Sequence, residues 1–143
     1  MFLTPHFTLA EMTASQVANR TGLDNNPDSQ VIANLVRLCQ TLESVRSLIG
    51  QPVLVTSGYR SEALNRQIGG SGSSAHIRGL AADIMAVSLS PRELARRIMD
   101  SNLDFDQLIL EFDGWVHLGL AEHKHRRQVL TIRKGTGYLP GLQ

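Results

Sequence analysis

The chain is predicted to fold as one α+β domain over residues 1–143, with N-terminal helices packed on a small, mainly antiparallel sheet. Three observations predict it. From about Ser29 to Ile49, apolar residues return at spacings of three and four, the period of a helix with one buried face. Two strand-like runs, Phe105–Phe112 and Trp115–Leu120, meet across Asp113-Gly114, a strong hairpin signal. Helices come first and hairpin-linked strands later, which is the order of an α+β domain and not of a βαβ repeat.

Taken in order, the elements have local reasons. Phe7–Met12 has the form of a capped helix start, with Thr8 as N-cap and Glu11 three residues on. Asn25-Asn26-Pro27-Asp28 breaks the chain. In the long helix, Ile32, Leu35, Leu38, Cys39, Leu42, Val45 and Leu48 mark the buried side, and Gly50 is its stop. Val53–Thr56 is predicted as a strand, Ser61–Ile68 as a short helix and Gly69–Ser74 as a flexible loop. Leu80–Val87 is a further strand, and Pro91 in a first turn opens a helix that runs to about Met99. Gln128–Arg133 is the last predicted strand, with Val129, Thr131 and Arg133 on one face and Leu130 and Ile132 on the other.

A length of 143 residues, 42% hydrophobic and 19% charged, suits one domain with a real core. The net charge of +1 points to no polyanion partner, and nucleic acid is not expected as one. Arginine supplies 12 of the 14 basic residues, and His123-Lys124-His125-Arg126-Arg127 with Arg133-Lys134 makes the C-terminal region locally basic. That cluster is either a solvated face or an attractor for an acidic polymer. His6, His123 and His125 are expected to be solvated. The single cysteine, Cys39, excludes an internal disulfide and lies on the apolar side of the long helix, so it reads as an inert buried thiol. No run is long and apolar enough to insert in a membrane. Met1–His6 lacks a basic start followed by an apolar core, so cytoplasmic synthesis outside the usual export route is expected, and a monomer with it.

The chemistry concentrates in Ser74-Ala75-His76-Ile77-Arg78-Gly79-Leu80-Ala81-Ala82-Asp83. His76 and Asp83 stand seven residues apart with a glycine between them, and His117 follows in an apolar, strand-like run. Each alone reads as an ordinary histidine or a local cap. Together, two imidazoles and a carboxylate form a set that binds Zn2+ and leaves a fourth position open for water, as a catalytic site requires. If the hairpin loop is Phe112-Asp113-Gly114 with Gly114 left-handed, Glu111 pairs with Trp115 and shares a face with His117. A two-residue loop would turn Glu111 away. The longer loop is preferred because it sets the glutamate beside a ligand.

At these residues the chain resembles the zinc D-Ala-D-Ala carboxypeptidases and the related phage cell-wall endopeptidases, LAS-type metallopeptidases of the hedgehog/DD-peptidase fold. The resemblance rests on Ser-x-His-x-x-Gly-x-Ala-x-Asp at Ser74, His76, Gly79, Ala81 and Asp83. Upstream, Thr56-Ser57-Gly58-Tyr59-Arg60-Ser61 with Asn65 is similar to the family's Ser-Gly-Tyr-Arg segment, and Trp115-Val116-His117 to the segment of the third ligand. It extends from about Val53 to Leu118.

The resemblance implies that His76, Asp83 and His117 bind zinc. It implies that Arg60 faces the substrate, to hold a terminal carboxylate or a developing oxyanion, with Ser74 and Trp115 on the substrate side. Several relatives carry a catalytic acid three residues before the last histidine ligand, where this chain has Gly114; Glu111 and Asp113 are the nearby substitutes, and Glu111 is favoured. The implied activity is hydrolysis of peptidoglycan stem peptides, as a carboxypeptidase or an endolysin-like endopeptidase, acting on the wall after release or from a virion. The alternatives are a catalytically inactive metal-binding module and a phage structural or assembly protein on the same scaffold.

Overall fold

In the computed structural model, which describes residues 1–143, the chain opens with a short antiparallel pair, β1 (Phe2–Thr4) and β2 (Phe7–Thr8). Helix α1 (Leu9–Thr13) begins at Thr8, where the expected capping box with Glu11 forms in both directions. Helix α2 (Gln16–Thr21) follows, capped by Ser15. The long helix α3 (Ser29–Ile49) starts at Asp28, whose side chain accepts from the Val31 amide at 2.8 Å, and stops at Gly50. After it come β3 (Val53–Ser57), α4 (Glu62–Gln67), a 3-10 turn (Ala75–Arg78) and β4 (Ala81–Ala86). Then follow α5 (Pro91–Met99), β5 (Gln107–Glu111), β6 (Trp115–Gly119), β7 (Gln128–Arg133) and β8 (Gly137–Pro140). Every predicted element is present. The pair β1–β2, helix α2 and strand β8 were not foreseen, because each is too short to show a period.

Six strands form one sheet in the order β3-β4-β6-β5-β7-β8. All neighbours are antiparallel except β5 and β7, so the chain crosses over between them through residues 120–127. Period-2 alternation divides the sheet into two faces. Ala82, Ile84, Val116, Leu118 and Leu108 join the core with Leu35, Leu38, Cys39, Leu42 and Val45 of α3 and Leu94, Ala95 and Ile98 of α5. Their neighbours Asp83, His117, Ile109 and Glu111 point to the opposite face, which no helix covers along β5–β8. One set of strands thus closes the core and carries a polar row on its back.

The hairpin between β5 and β6 has the three-residue loop, with Glu111 opposite Trp115. Its backbone differs from expectation. Phe112 and Asp113 take positive φ, 54° each, and Gly114 does not. The turn closes through the Gly114 amide to the Glu111 carbonyl at 3.0 Å, which makes Phe112 and Asp113 its central residues, and a type I′ turn requires φ > 0 at both. Asp113 tolerates that conformation. Phe112 is kept there by its amide bond to the Ile132 carbonyl (2.8 Å) and by its ring against Trp115.

Burial lifts the Cys39 thiol to about 12, with smaller contributions from the charges of Glu11 and Glu43. In native protein at pH 8 a thiol reagent should therefore leave Cys39 unmodified, and should titrate it fully in denaturant. Leu42→Ala, at a fully buried position of α3, should cost about 2–5 kcal/mol in a urea melt.

Candidate metal centre

Register brings the first two ligand candidates together. Asp83 in β4 lies directly opposite His117 in β6, so their side chains rise from the same face of the sheet. His76 arrives from the 3-10 turn just before β4. Gly79, at φ 73°, ends that turn in the left-handed region, and a Cβ there would lie 2.9 Å from Val31 Cγ1 and 3.0 Å from the Val31 carbonyl oxygen. Glycine alone lets the chain turn back this close to α3. His76 Nδ1 donates to the Gly58 carbonyl at 2.7 Å, which fixes the ring and leaves Nε2 as the free donor atom.

His76 Nε2 is 3.3 Å and His117 Nδ1 is 3.2 Å from the same Asp83 oxygen, Oδ1, and one donor atom from each residue falls within 4.8 Å of the others. Zinc bonds of roughly 2.0–2.2 Å in a tetrahedron put donor atoms roughly 3.3–3.6 Å apart, so the set fits the ion in type and the two distances to Asp83 fit it in spacing. All three side chains are nearly buried. Burial by itself would raise the Asp83 carboxyl, but hydrogen bonds from His117 and His76, with their charges, outweigh it and hold the group well below the usual carboxylate range.

An open cleft of about 990 Å³ begins at His76 and His117 and is lined also by Arg60, Ser74 and Glu111. Glu111 is half-buried, and its Oε2 accepts from Trp115 Nε1 at 2.9 Å. Burial first, and the Asp83 charge second, push its carboxyl above the ordinary value. Trp115 lies against Glu111 and Phe112 and is not part of the cleft lining. The Ser74 hydroxyl is already engaged, accepting from the His76 amide at 3.2 Å. Asp113 is turned away, in a two-bond pair with Arg133 (2.8 and 2.9 Å). Arg60 sits beside the ligand candidates, its Nη2 3.8 Å from Asp83 Oδ2. Two contributors had no signal of their own in the chain: the Gly58 carbonyl, a backbone atom, and Tyr138 of the unforeseen β8, which lines the cleft.

The basic C-terminal cluster splits up. Arg126 pairs with Asp106 at 3.0 and 2.7 Å, while His123 and Lys124 border the cleft. His125, expected to be solvated, packs between Arg37 (3.0 Å) and Asp104 (2.9 Å), because residues 120–127 fold back against α3. His6 is exposed, as expected, and is bonded to Glu43 at 2.7 Å.

A carboxyl raised by burial disfavours folding once it ionises. That cost is absent below the unfolded-state value, near 4.5 for glutamate, and complete above the higher folded-state value. Metal-free Glu111→Gln should therefore outlast the metal-free parent in urea at pH 7, and the gap should close as the pH falls below about 4.5. An equal gap at both pH values would mean that the ionised carboxylate carries no such cost.

Among known proteins, the family model described as Peptidase M15 matches residues 5–119, which covers α1 through β6 and all three ligand candidates. Strands β7 and β8, which add Leu130 and Tyr138 to the cleft wall, lie beyond the matched segment. No individual curated protein matches the chain significantly. With four-fifths of its length aligned to that model, the chain belongs to the peptidase M15 family.

Proposed function

We propose that this protein is a zinc-dependent peptidase that hydrolyses peptide bonds in the stem peptides of bacterial peptidoglycan, as a D-Ala-D-Ala carboxypeptidase or an endopeptidase of the endolysin kind. The observation that carries this reading is the meeting of His76, Asp83 and His117 where an open cleft begins at the two imidazoles, with a half-buried glutamate in the cleft lining. Membership of a peptidase family supports the hydrolytic class. The wall is the site of action on this reading, reached after release from the producing cell or from a virion.

His76 Nε2, Asp83 and His117 Nδ1 would hold the ion. Zinc bound there supplies a Lewis acid for the scissile carbonyl and lowers the pKa of a water toward about 7. The remaining work falls to the chain's own groups. Glu111 takes a proton from the attacking water and returns it to the leaving amine, and its raised carboxyl suits it to both transfers. Trp115 Nε1 holds the glutamate in place while leaving its second oxygen free. Arg60, desolvated but still cationic, offers N–H groups to the oxyanion or to a substrate carboxylate.

Purified protein should contain about one zinc per chain, and His76→Ala or Asp83→Ala should remove both the tight ion and turnover. Full zinc occupancy in both variants would put the site elsewhere. Glu111→Gln should keep the zinc and lose about a hundredfold to ten-thousandfold in rate, while Asp113→Asn should keep most of it. The reverse pattern would give the base role to Asp113. Mass spectrometry of muropeptides released from defined peptidoglycan reads out the bond cut, and zinc-loaded protein that releases none from any wall type sinks the peptidase reading.

A further inference from the structure

Asn65 lies in α4 and touches neither the ligand candidates nor the reach of Glu111, yet it is 1% exposed and fully engaged. Its Oδ1 accepts from Arg60 Nη1 at 3.2 Å. Its Nδ2 donates to the Ser71 carbonyl at 2.8 Å, and its own carbonyl accepts from the Gly70 amide at 2.8 Å. Gly70 has no alternative, since a Cβ there would overlap Asn65 Oδ1 and stand 3.2 Å from Arg60 Nη1. One amide thus ties the 69–74 loop to the guanidinium of Arg60.

The geometry at Arg60 explains what the tie accomplishes. Its backbone amide donates to the His76 carbonyl (3.1 Å), and its Nε points to Ser57 Oγ (3.4 Å). Between them, Ser57 and Asn65 are neutral acceptors that occupy two edges of the guanidinium without cancelling its charge. Nη2 is left 3.8 Å from Asp83 Oδ2, well outside the 2.7–2.9 Å of a closed Arg–carboxylate pair. In a half-buried site the attraction between these charges is strong, and an untethered arginine would close on the carboxylate.

We infer that Asn65 is a positioning residue that holds Arg60 at a stand-off from Asp83, so that the carboxylate is left to the metal and the free edge of the guanidinium to the substrate. The inference rests on the reading of Asp83 as a zinc ligand and of Arg60 as a substrate-facing group. It also explains why an amide suits this position: alanine would leave Arg60 unheld, and aspartate would neutralise it.

A double-mutant cycle on zinc affinity tests this without any substrate. Against a competing chelator, Asn65→Ala should bind zinc about tenfold more weakly than the parent, in the range for loss of a group that orients a ligand. Arg60→Ala should bind at least as tightly as the parent, because a neighbouring cation is gone. Adding Asn65→Ala to Arg60→Ala should change affinity less than about twofold. Parent-like zinc binding in Asn65→Ala, or the same loss in both backgrounds, overturns the inference. Should Asn65→Ala fail to fold, the Arg60 guanidinium 15N–1H signals of the metal-free parent decide the matter. Slow rotation about the Nη bonds supports the tether, and rotation as fast as in an exposed arginine refutes it. A parent that binds zinc in this pattern yet releases no muropeptide would sink the peptidase reading and leave the tether standing.

Discussion

The pairing of Asp83 with His117 across β4 and β6 is the constraint on which the rest of the structure depends. Because side chains alternate along a strand, a slip of one residue in either strand would turn its own ligand candidate into the core and bring Ile84 or Val116 out to the cleft. The register is held from the other side of the sheet, where Ala82, Ile84, Val116 and Leu118 pack under α3 and α5. Core packing and ligand placement are therefore one property of the same strands. The third ligand candidate depends on that arrangement too, since the turn that carries His76 is fastened to β4 through Gly79 and to the Gly58 carbonyl through its ring.

The polar groups gathered on the open face would each be costly alone. A buried aspartate, two buried histidines, a half-buried glutamate and a desolvated arginine share a small volume. They coexist because each is paired: Asp83 with both imidazoles, Glu111 with Trp115, Arg60 with Ser57 and Asn65. Glu111 is the exception in sign, as its surroundings favour the protonated form. A carboxyl held at some cost to stability is what a proton-transfer group requires.

The cleft has two walls of different standing. One, made by Arg60 and the segment from Ser71 to Arg78, lies inside the matched family region. The other includes Leu130 of β7 and Tyr138 of β8, together with His123 and Lys124 of the crossover, and lies beyond it. In the basic C-terminal region Arg126 is bound to Asp106 and Arg133 to Asp113, whereas Lys124 on the second wall has no ion pair.

The sequence by itself determined the α+β class, the long helix and the central strands, and it singled out His76, Asp83 and His117 as the candidate ligand set. These follow from local signals: helical spacing of apolar residues, alternation in strands, an Asp-Gly turn, and a histidine and an aspartate on either side of a glycine. It left two loop lengths open between β5 and β6, and the preference for pairing Glu111 with Trp115 rests only on setting the glutamate beside a ligand candidate; the structure has that pairing. Only the tertiary structure decided which backbone residues carry the turn's positive φ, since Phe112 is held by Ile132 of a strand that follows later in the chain. The same holds for His125, Asn65 and the Gly58 carbonyl. Their roles are contacts across 88, 5 and 18 positions, made through bonds that no spacing rule encodes. Spacing reports which face a side chain takes on its own element. Which neighbour it meets is set by how the elements pack.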